Sequence, residues 1–589
     1  MKNFKNSFII LFTLFLVQCQ SPKELSSTQK AIFPIFADSI RLNHSDAEAR
    51  GTQYAISTQG IYATKAAQKI FSQGGNAIDA AVAASFTLAV ERPHSTGIGG
   101  GGFMLYREGK SQKVYAIDFR ERAPLLAKTN MFLDPDGKAN STLSQNGILA
   151  TAVPGLVAGL AEIHQRFGHL SWKKVLQPAI ELAKNGFPIY PNLAMALSKK
   201  EMTLALDGEA SRIFLDKNKK ALPLGYILIQ KDLAKTLSKI ALFGKAGFYR
   251  GETASLFSQF SKKLNGLITK KDLRLYQVKW RPPLLGSYKG YAIFSMPPPS
   301  SGGVHVIQFL NMLENDHLIK EGLLSTKSIH LAASALQSSF TDRARYLGDP
   351  DFVDVPVSIL TSKKYAQLRR SQFKETSARK ATEVSAGEIS STQLNEEHTE
   401  TTHLSIMDKN GDTISTTQTI NGFMGASIVV PGTGIVLNNE MDDFSALTGA
   451  SNLFGAIGGS ANKISPRKTP LSSMSPTIVV KDGISIMSLG APGGTRIISC
   501  VAQTILNYLE FKLPLFEAIA LVRYHHQWKP DVLDIDPPGP ESMILSELLK
   551  MGYEVHIKAV PCNVMAVTRE NDLFHAVADP RDIGTSIAL

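Results

Sequence analysis

The chain has 589 residues, of which 43% are apolar, enough for a large globular protein with a substantial core. Its formal net charge is +12, yet no basic module interleaved with aromatic residues accompanies it, which excludes nucleic acid as an expected partner and leaves a solvated, Lys-rich surface. Three cysteines are too few for a disulfide framework. Length alone would allow several domains, but no Pro/Ser-rich linker separates independent units, and one intertwined core fits the sequence at least as well.

In chain order, Lys2 and Lys5 precede the apolar run Phe8 to Val17, too short to span a bilayer but suited to a signal peptide. Residues 1–18 are expected to be removed on export, with 19–50 as an N-terminal linker. Leu16-Val17-Gln18-Cys19 resembles a bacterial lipobox, in which an acylated Cys19 would attach the mature chain to a membrane. Gln18 departs from the usual pattern, so ordinary cleavage into the periplasm stays open.

An Ala-rich helical stretch is expected from Ala77 to Val90, and a strand at Phe103 to Tyr106. Between them, Gly97 to Gly102 formally matches a dinucleotide fingerprint, but that motif needs a strand before it and a helix after it. The order here is reversed, so a tight turn or close backbone approach is expected instead. Glu375 to Glu400 is polar and poor in large apolar residues, in the manner of a mobile tail.

Thr401-Thr402-His403-Leu404-Ser405-Ile406-Met407 alternates, meets the turn cluster Asp408-Lys409-Asn410-Gly411, and alternates again to Thr419, which predicts a β-hairpin. Folding it back sets Gln418 to Ile420 opposite Thr401. Thr419 is then a candidate hydrogen-bond partner of Thr401, and Asn421 shares its face if the strand continues. Adjacent threonines are good strand formers and need no further role. A threonine hydroxyl becomes a nucleophile, however, when the chain is cut just before it and its own α-amine takes the proton. That chemistry would split the chain at Glu400–Thr401.

Ile484 to Leu489 reads as a strand, Gly490 to Gly494 as a loop and Thr495 to Leu509 as a helix. The amides of Gly493 and Gly494 would then point out of a helix N-terminus, suited to an oxyanion. Cys500 and Cys562 permit at most one bridge; both lie in apolar surroundings, and packed thiols are the preferred reading, with their pairing left open. His525 and His526 are adjacent and diverge, no Cys/His pair has zinc spacing, and no Gly-x-Ser-x-Gly elbow occurs. Neither a metal nor a cofactor is expected, nor a serine hydrolase of the α/β type.

Several ordered motifs resemble the γ-glutamyltransferase (glutathione hydrolase) family: Thr401-Thr402-His403, Leu437 to Phe444, Pro470 to Pro476 and Gly490 to Gly494. In the first half the resemblance rests on Gly99 to Met104, Asp118-Phe119-Arg120-Glu121, Met296 to Gly303 and Asp342-Arg343, and it ends at Tyr524 to Trp528 and Ala578 to Arg581. It implies an α+β fold, the four-layer αββα sandwich of the N-terminal-nucleophile hydrolases. It also implies a precursor that cuts itself into a large subunit, 51–400, and a small one, 401–589, forming one catalytic domain.

By the same resemblance, Arg120, Ser472 and Ser473 would bind the α-carboxylate of a γ-glutamyl ligand, and Asn421, Glu440 and Asp443 its ammonium. Taken singly, Asp443 reads as a solvated turn residue and Arg120 as a surface ion-pair partner. Gly449 to Arg467 resembles a lid loop, with Phe454 as its closing aromatic. The implied partners are glutathione and other γ-glutamyl compounds, with water or an amino acid or dipeptide as acceptor. A glutaryl (cephalosporin) acylase of the same fold and an inactive exported binding subunit are the alternatives.

Overall fold

The computed structural model describes residues 44–386, 401–447, 452–453, 455 and 457–589. The leader, Cys19, Glu400 and Phe454 lie outside the described residues. The first-half strands of the two large sheets are Glu48–Gly51 (β1), Tyr54–Thr58 (β2), Gly101–Arg107 (β3), Val114–Asp118 (β4), Lys279–Arg281 (β5), Leu284–Tyr288 (β6) and Tyr291–Ser295 (β7). Those of the same two sheets after Thr401 are Thr402–Asp408 (β8), Thr413–Thr419 (β9), Thr477–Lys481 (β10), Ile484–Gly490 (β11), Met565–Glu570 (β12), Leu573–Ala578 (β13) and Thr585–Ala588 (β14).

They form two seven-stranded sheets, ordered β14-β2-β8-β9-β3-β4-β5 and β1-β13-β12-β11-β10-β7-β6. Every neighbouring pair is antiparallel. The sheets stack face to face, β8 and β9 over β11 and β2 over β13. Helices Ile61–Ser72 (α1), Ala77–Glu91 (α2) and Leu156–Phe167 (α3) cover the first sheet, and Gly302–Leu313 (α4) and Arg496–Leu509 (α5) the second. These are the four layers of the expected sandwich.

Alternation along β8 builds this arrangement. Leu404 and Ile406 join the core under α2, whereas Met407 packs between the sheets with Val567, Phe574 and Ala576. Nearer Thr401 the space between the sheets is polar and hydrogen-bonded: Ser405 Oγ donates to the Met565 carbonyl at 3.1 Å, and Ser415 Oγ to that of Leu489 at 2.8 Å. The hairpin turn is held by Asp408, whose Oδ1 accepts from the Asn410 and Asp412 amides, each at 3.0 Å, while Gly411 takes a φ of 87°.

Three expectations change. The stretch expected to be linker already contains β1, which pairs with β13. Residues 375–386 do not form a tail: Arg379 is buried and donates to the Ser334 carbonyl and Ser338 Oγ, both at 2.8 Å, pinning the segment onto the helix Thr326–Tyr346. Cys500 and Cys562 are bonded as a disulfide, not packed as separate thiols. The fold brings α5 and the chain before β12 together, with Cα atoms 6.6 Å apart, a proximity that a separation of 62 residues conceals.

Candidate active site

Thr402 pairs with Gln418, which sets Thr401 opposite Thr419, within the predicted register. The Thr401 hydroxyl donates to Thr419 Oγ1 at 3.3 Å, and both residues are buried. The strand ends at Thr419, so the condition for Asn421 to share its face by alternation is not met. Asn421 has a φ of 76°, a left-handed turn that returns its amide to Thr419 Oγ1 at 2.8 Å and sends its side chain to the Asn439 carbonyl at 3.1 Å. Thr419 therefore receives two hydrogen bonds at one oxygen.

His403 has a structural place. Its Nδ1 meets Thr417 Oγ1 at 2.8 Å and its Nε2 meets Ser405 Oγ at 3.1 Å, and full burial pushes its pKa down to about 3, so the ring is neutral. A Cβ on Gly490 would come within 2.3 Å of this ring, which explains the glycine there.

The glycine loop bends through φ 133° at Gly493 and 55° at Gly494 into α5. Among the described residues neither amide N–H has an acceptor, while the Gly493 and Gly494 carbonyls accept from Arg496 and Ile497 at 3.1 and 3.2 Å. A Cβ at Gly493 would lie 2.5 Å from the Pro561 carbonyl and 2.8 Å from Cys562 Cβ. The chain beside the disulfide is thus the floor of this loop.

A cleft enclosing ≈ 290 Å³ of space, part of it open to solvent, gathers Thr401, Thr419, Asn421, Gly494, Arg120, Glu440, Asp443, Ser472 and Ser473. All are residues singled out from sequence; among the described ones Gly493 does not line the cleft but directly precedes Gly494, which does. Arg343, Met474 and Ile497 also line it and had no assigned role. Arg343 stood within the quoted Asp342-Arg343 motif, the one signal that could have found it.

Arg120 follows β4 and is turned inward by its own amide bond to Asp118 Oδ1 at 3.1 Å. Its Nε donates to the Pro470 carbonyl at 3.1 Å. Nη2 bonds Asp443 Oδ2 at 2.5 Å, and Nη1 approaches Glu440 Oε1 equally closely, at 2.5 Å, but outside hydrogen-bonding alignment. The guanidinium is 1% exposed and Asp443 7%, so neither is the surface group that each residue suggests singly. Glu440 and Asp443 reach it from a single turn of 3₁₀ helix. The residues assigned to opposite ends of a ligand therefore pair with each other here.

Arg343, from the long helix Thr326–Tyr346, donates to Ser301 Oγ at 3.0 Å and Ser473 Oγ at 3.2 Å. Ser472 offers its Oγ to the Met474 amide at 3.1 Å. Across the predicted lid segment, Asn452 donates to Asp443 Oδ1 at 2.8 Å.

Burial opposes every charge in this cluster. It raises Glu440 well above the ordinary carboxylate range, and raises Asp443 in spite of Arg120 and Arg343. Burial also opposes the Arg120 charge, but Glu440 and Asp443 outweigh it and hold the guanidinium above its usual value. Burial lowers Arg343 to about 10. Behind Arg120, both Glu121 side-chain oxygens are buried without a partner beyond the residue's own amide, and burial pushes that carboxyl up to about 8. Carboxylates outnumber the guanidinium they crowd, which favours a shared proton over full ionisation.

The Gamma-glutamyltranspeptidase family model matches residues 63–589. The glutathione hydrolase proenzyme of Escherichia coli (strain K12) is 41% identical over 537 residues, covering 91% of each chain. The crystal structure of cephalosporin acylase from Bacillus halodurans aligns with a TM-score of 0.79 at 25% identity, covering 94% of this chain and 98% of that one. That of Helicobacter pylori γ-glutamyltranspeptidase aligns at 0.55 with 42% identity, covering 56% of this chain and 94% of that one. With the same motifs converging on one cleft of an αββα sandwich, the chain belongs to the γ-glutamyltranspeptidase family of N-terminal-nucleophile hydrolases.

Proposed function

We propose that this chain is a self-processing γ-glutamyltransferase, or glutathione hydrolase, with Thr401 as its nucleophile. The observation that carries the reading is the buried Arg120–Glu440–Asp443 cluster in the same cleft as Thr401 and Gly494. A zwitterionic α-amino acid end presents one carboxylate and one ammonium. It can take over both sides of that ion pair, Arg120 and Ser473 receiving the carboxylate, and Asp443, Glu440 and Asn421 the ammonium.

With the ligand so held, Thr401 Oγ1 attacks the γ-amide carbonyl. The α-amine of Thr401, freed by cleavage after Glu400, takes the hydroxyl proton and passes it to the leaving amine. The oxyanion of the tetrahedral intermediate is received by the Gly493 and Gly494 amides, which have no acceptor among the described residues. Thr419, bonded to the nucleophile, orients its hydroxyl. The γ-glutamyl ester then passes to water or to the amine of an amino acid or dipeptide.

A glutaryl acylase is the rival reading, favoured by the likeness to the cephalosporin acylase. It would have no use for two carboxylates facing an ammonium. Turnover of γ-glutamyl-p-nitroanilide beside glutaryl-p-nitroanilide separates the two, and a clear preference for the glutaryl compound would overturn the proposal. Intact-mass analysis should find two associated pieces, ending at Glu400 and beginning at Thr401; an uncut, fully active chain refutes the nucleophile assignment. We also propose export with acylation at Cys19. If Cys19→Ser leaves membrane fractionation and mature mass unchanged, that part fails.

A further inference from the structure

The net charge of the chain is concentrated in one stretch. Residues 172–275 contain 19 Lys and Arg against eight Asp and Glu, a net +11, and the other 485 residues together carry +1. This stretch supplies no strand to either large sheet and no residue to the Thr401 cleft. Its charge serves neither the core nor the site already described.

Exposed apolar side chains collect in the same place. Leu224, Tyr226, Ile227, Ile229, Leu242 and Phe243 are all large and exposed, Leu242 and Phe243 by 69% and 62%. The first four precede the helix Lys231–Phe243 and the last two stand at its C-terminal end. Along that helix Leu233, Leu237 and Ile240 are buried, so Lys231, Lys235 and Lys239, spaced four apart, form the opposite stripe. Lys235 and Lys239 have acidic neighbours, Asp232 at 3.0 Å and Glu252 at 2.7 Å, but such surface pairs are weak and the segment remains strongly basic. Lys245 extends the stripe past the helix.

We propose that this outer face, from Leu224 to Lys245, rests on an anionic membrane surface. Apolar tips flanking a row of lysines suit the boundary between headgroups and acyl chains: the tips enter the boundary, and the ammonium groups on long aliphatic stems reach lipid phosphates. The cations of this stripe are lysine point charges, not the guanidinium forks that grip single phosphates, and its exposed aromatics, Tyr226 and Phe243, stand among aliphatic tips as at a membrane boundary. The inference depends neither on the leader nor on the assigned chemistry, since it uses no residue of either.

Vesicle sedimentation tests it, using the full chain with Cys19→Ser so that no acyl anchor contributes. Vesicles of phosphatidylcholine with 30% phosphatidylglycerol, on the order of a bacterial anionic fraction, should bind the protein, and pure phosphatidylcholine should not. Raising NaCl from about 0.1 to 0.5 M should release it. Lys231→Glu/Lys235→Glu/Lys239→Glu should lower partitioning by at least about 100-fold, since each lysine near such a surface is worth roughly a factor of five. Leu242→Ser/Phe243→Ser should lower it as well while leaving γ-glutamyl-p-nitroanilide turnover intact. Equal binding to both vesicle types, or binding untouched by either variant, overturns the proposal. So does tight binding to duplex DNA or heparin without binding to vesicles, which would assign the face to a soluble polyanion.

Discussion

The cleft has two corners of opposite character. Thr401 bonds Thr419, and Gly494 and Ile497 line the same cleft; none of these is charged, and the acceptor-free amides of the glycine loop are the main polar resource. Arg120 pairs with Glu440 and Asp443, and Arg343, held by Ser301 and Ser473, lines the same cleft, making four buried ionisable groups. The difference teaches a division of labour. Charge that develops only during attack is met by neutral dipoles fixed beforehand, whereas charge the ligand brings is met by groups already neutralising one another. Substitutions in the first corner should lower kcat, and those in the second should raise KM.

The largest expected effect tests the first corner. Thr401→Ala should lower γ-glutamyl-p-nitroanilide turnover by about 10⁴-fold or more and leave a single uncut chain, read by kinetics and intact mass. Substantial turnover by this variant would place the chemistry elsewhere.

Asp443→Ala tests the second corner. It should cost about 2–5 kcal/mol in kcat/KM for γ-glutamyl substrates, mostly through KM, because a charged partner of the ligand ammonium is removed. Glutaryl-p-nitroanilide, without an ammonium, should lose far less, and self-cleavage should proceed. Equal losses on both substrates would make Asp443 a structural residue and dissolve the distinction between the corners.

Gly493→Ala sharpens the comparison from the other side. A side chain at φ 133° is strained and would meet the Pro561 carbonyl, shifting the loop amides. A kcat loss of about 10²–10³-fold with KM nearly unchanged is expected. A change confined to KM would show that the loop binds the ligand instead of the oxyanion.

The smallest effect concerns Glu121, behind the charged corner. Its carboxyl titrates near 4.5 when unfolded and about 8 when folded, so between those values the unfolded chain binds fewer protons and stability falls as pH rises. Glu121→Gln should flatten this part of the stability profile, most visibly as a higher Tm at pH 8 by scanning calorimetry. An unchanged slope would mean that Glu121 is ionised in the folded protein.

Much of this was legible in the sequence because local chemistry determined it. The Asn410-Gly411 turn set the hairpin register that places Thr419 beside Thr401, and the strand-loop-helix order around Gly490 to Gly494 located the free amides. The glycines at 97–102 likewise read correctly as a close approach: a Cβ at Gly100 would lie 2.0 Å from the Thr419 carbonyl, directly behind the site. What stayed hidden depends on tertiary contact. The left-handed turn at Asn421 had a local signal in the pair Asn421-Gly422, but its course is held by hydrogen bonds to Thr419 and Asn439 that only the fold supplies. Arg343 lies in a helix, where an arginine usually reads as surface, and only the fold turns it onto Ser301 and Ser473. The pairing of Cys500 with Cys562 follows from where α5 meets the second sheet, which no spacing rule conveys.

The order of strands has a consequence for a cut before Thr401. In the first sheet β8 and β9 lie between β2 and β3, with β14 outside β2; in the second, β10 to β13 lie between β1 and β7. Five ladders, β2 with β8, β2 with β14, β3 with β9, β1 with β13 and β7 with β10, would join one product to the other. Severing a single peptide bond would free an amine while leaving the two polypeptides interleaved through both sheets, so parting them would require unfolding each. Such a dimer has no dissociation equilibrium separate from its folding equilibrium, and dilution alone should never resolve it into subunits.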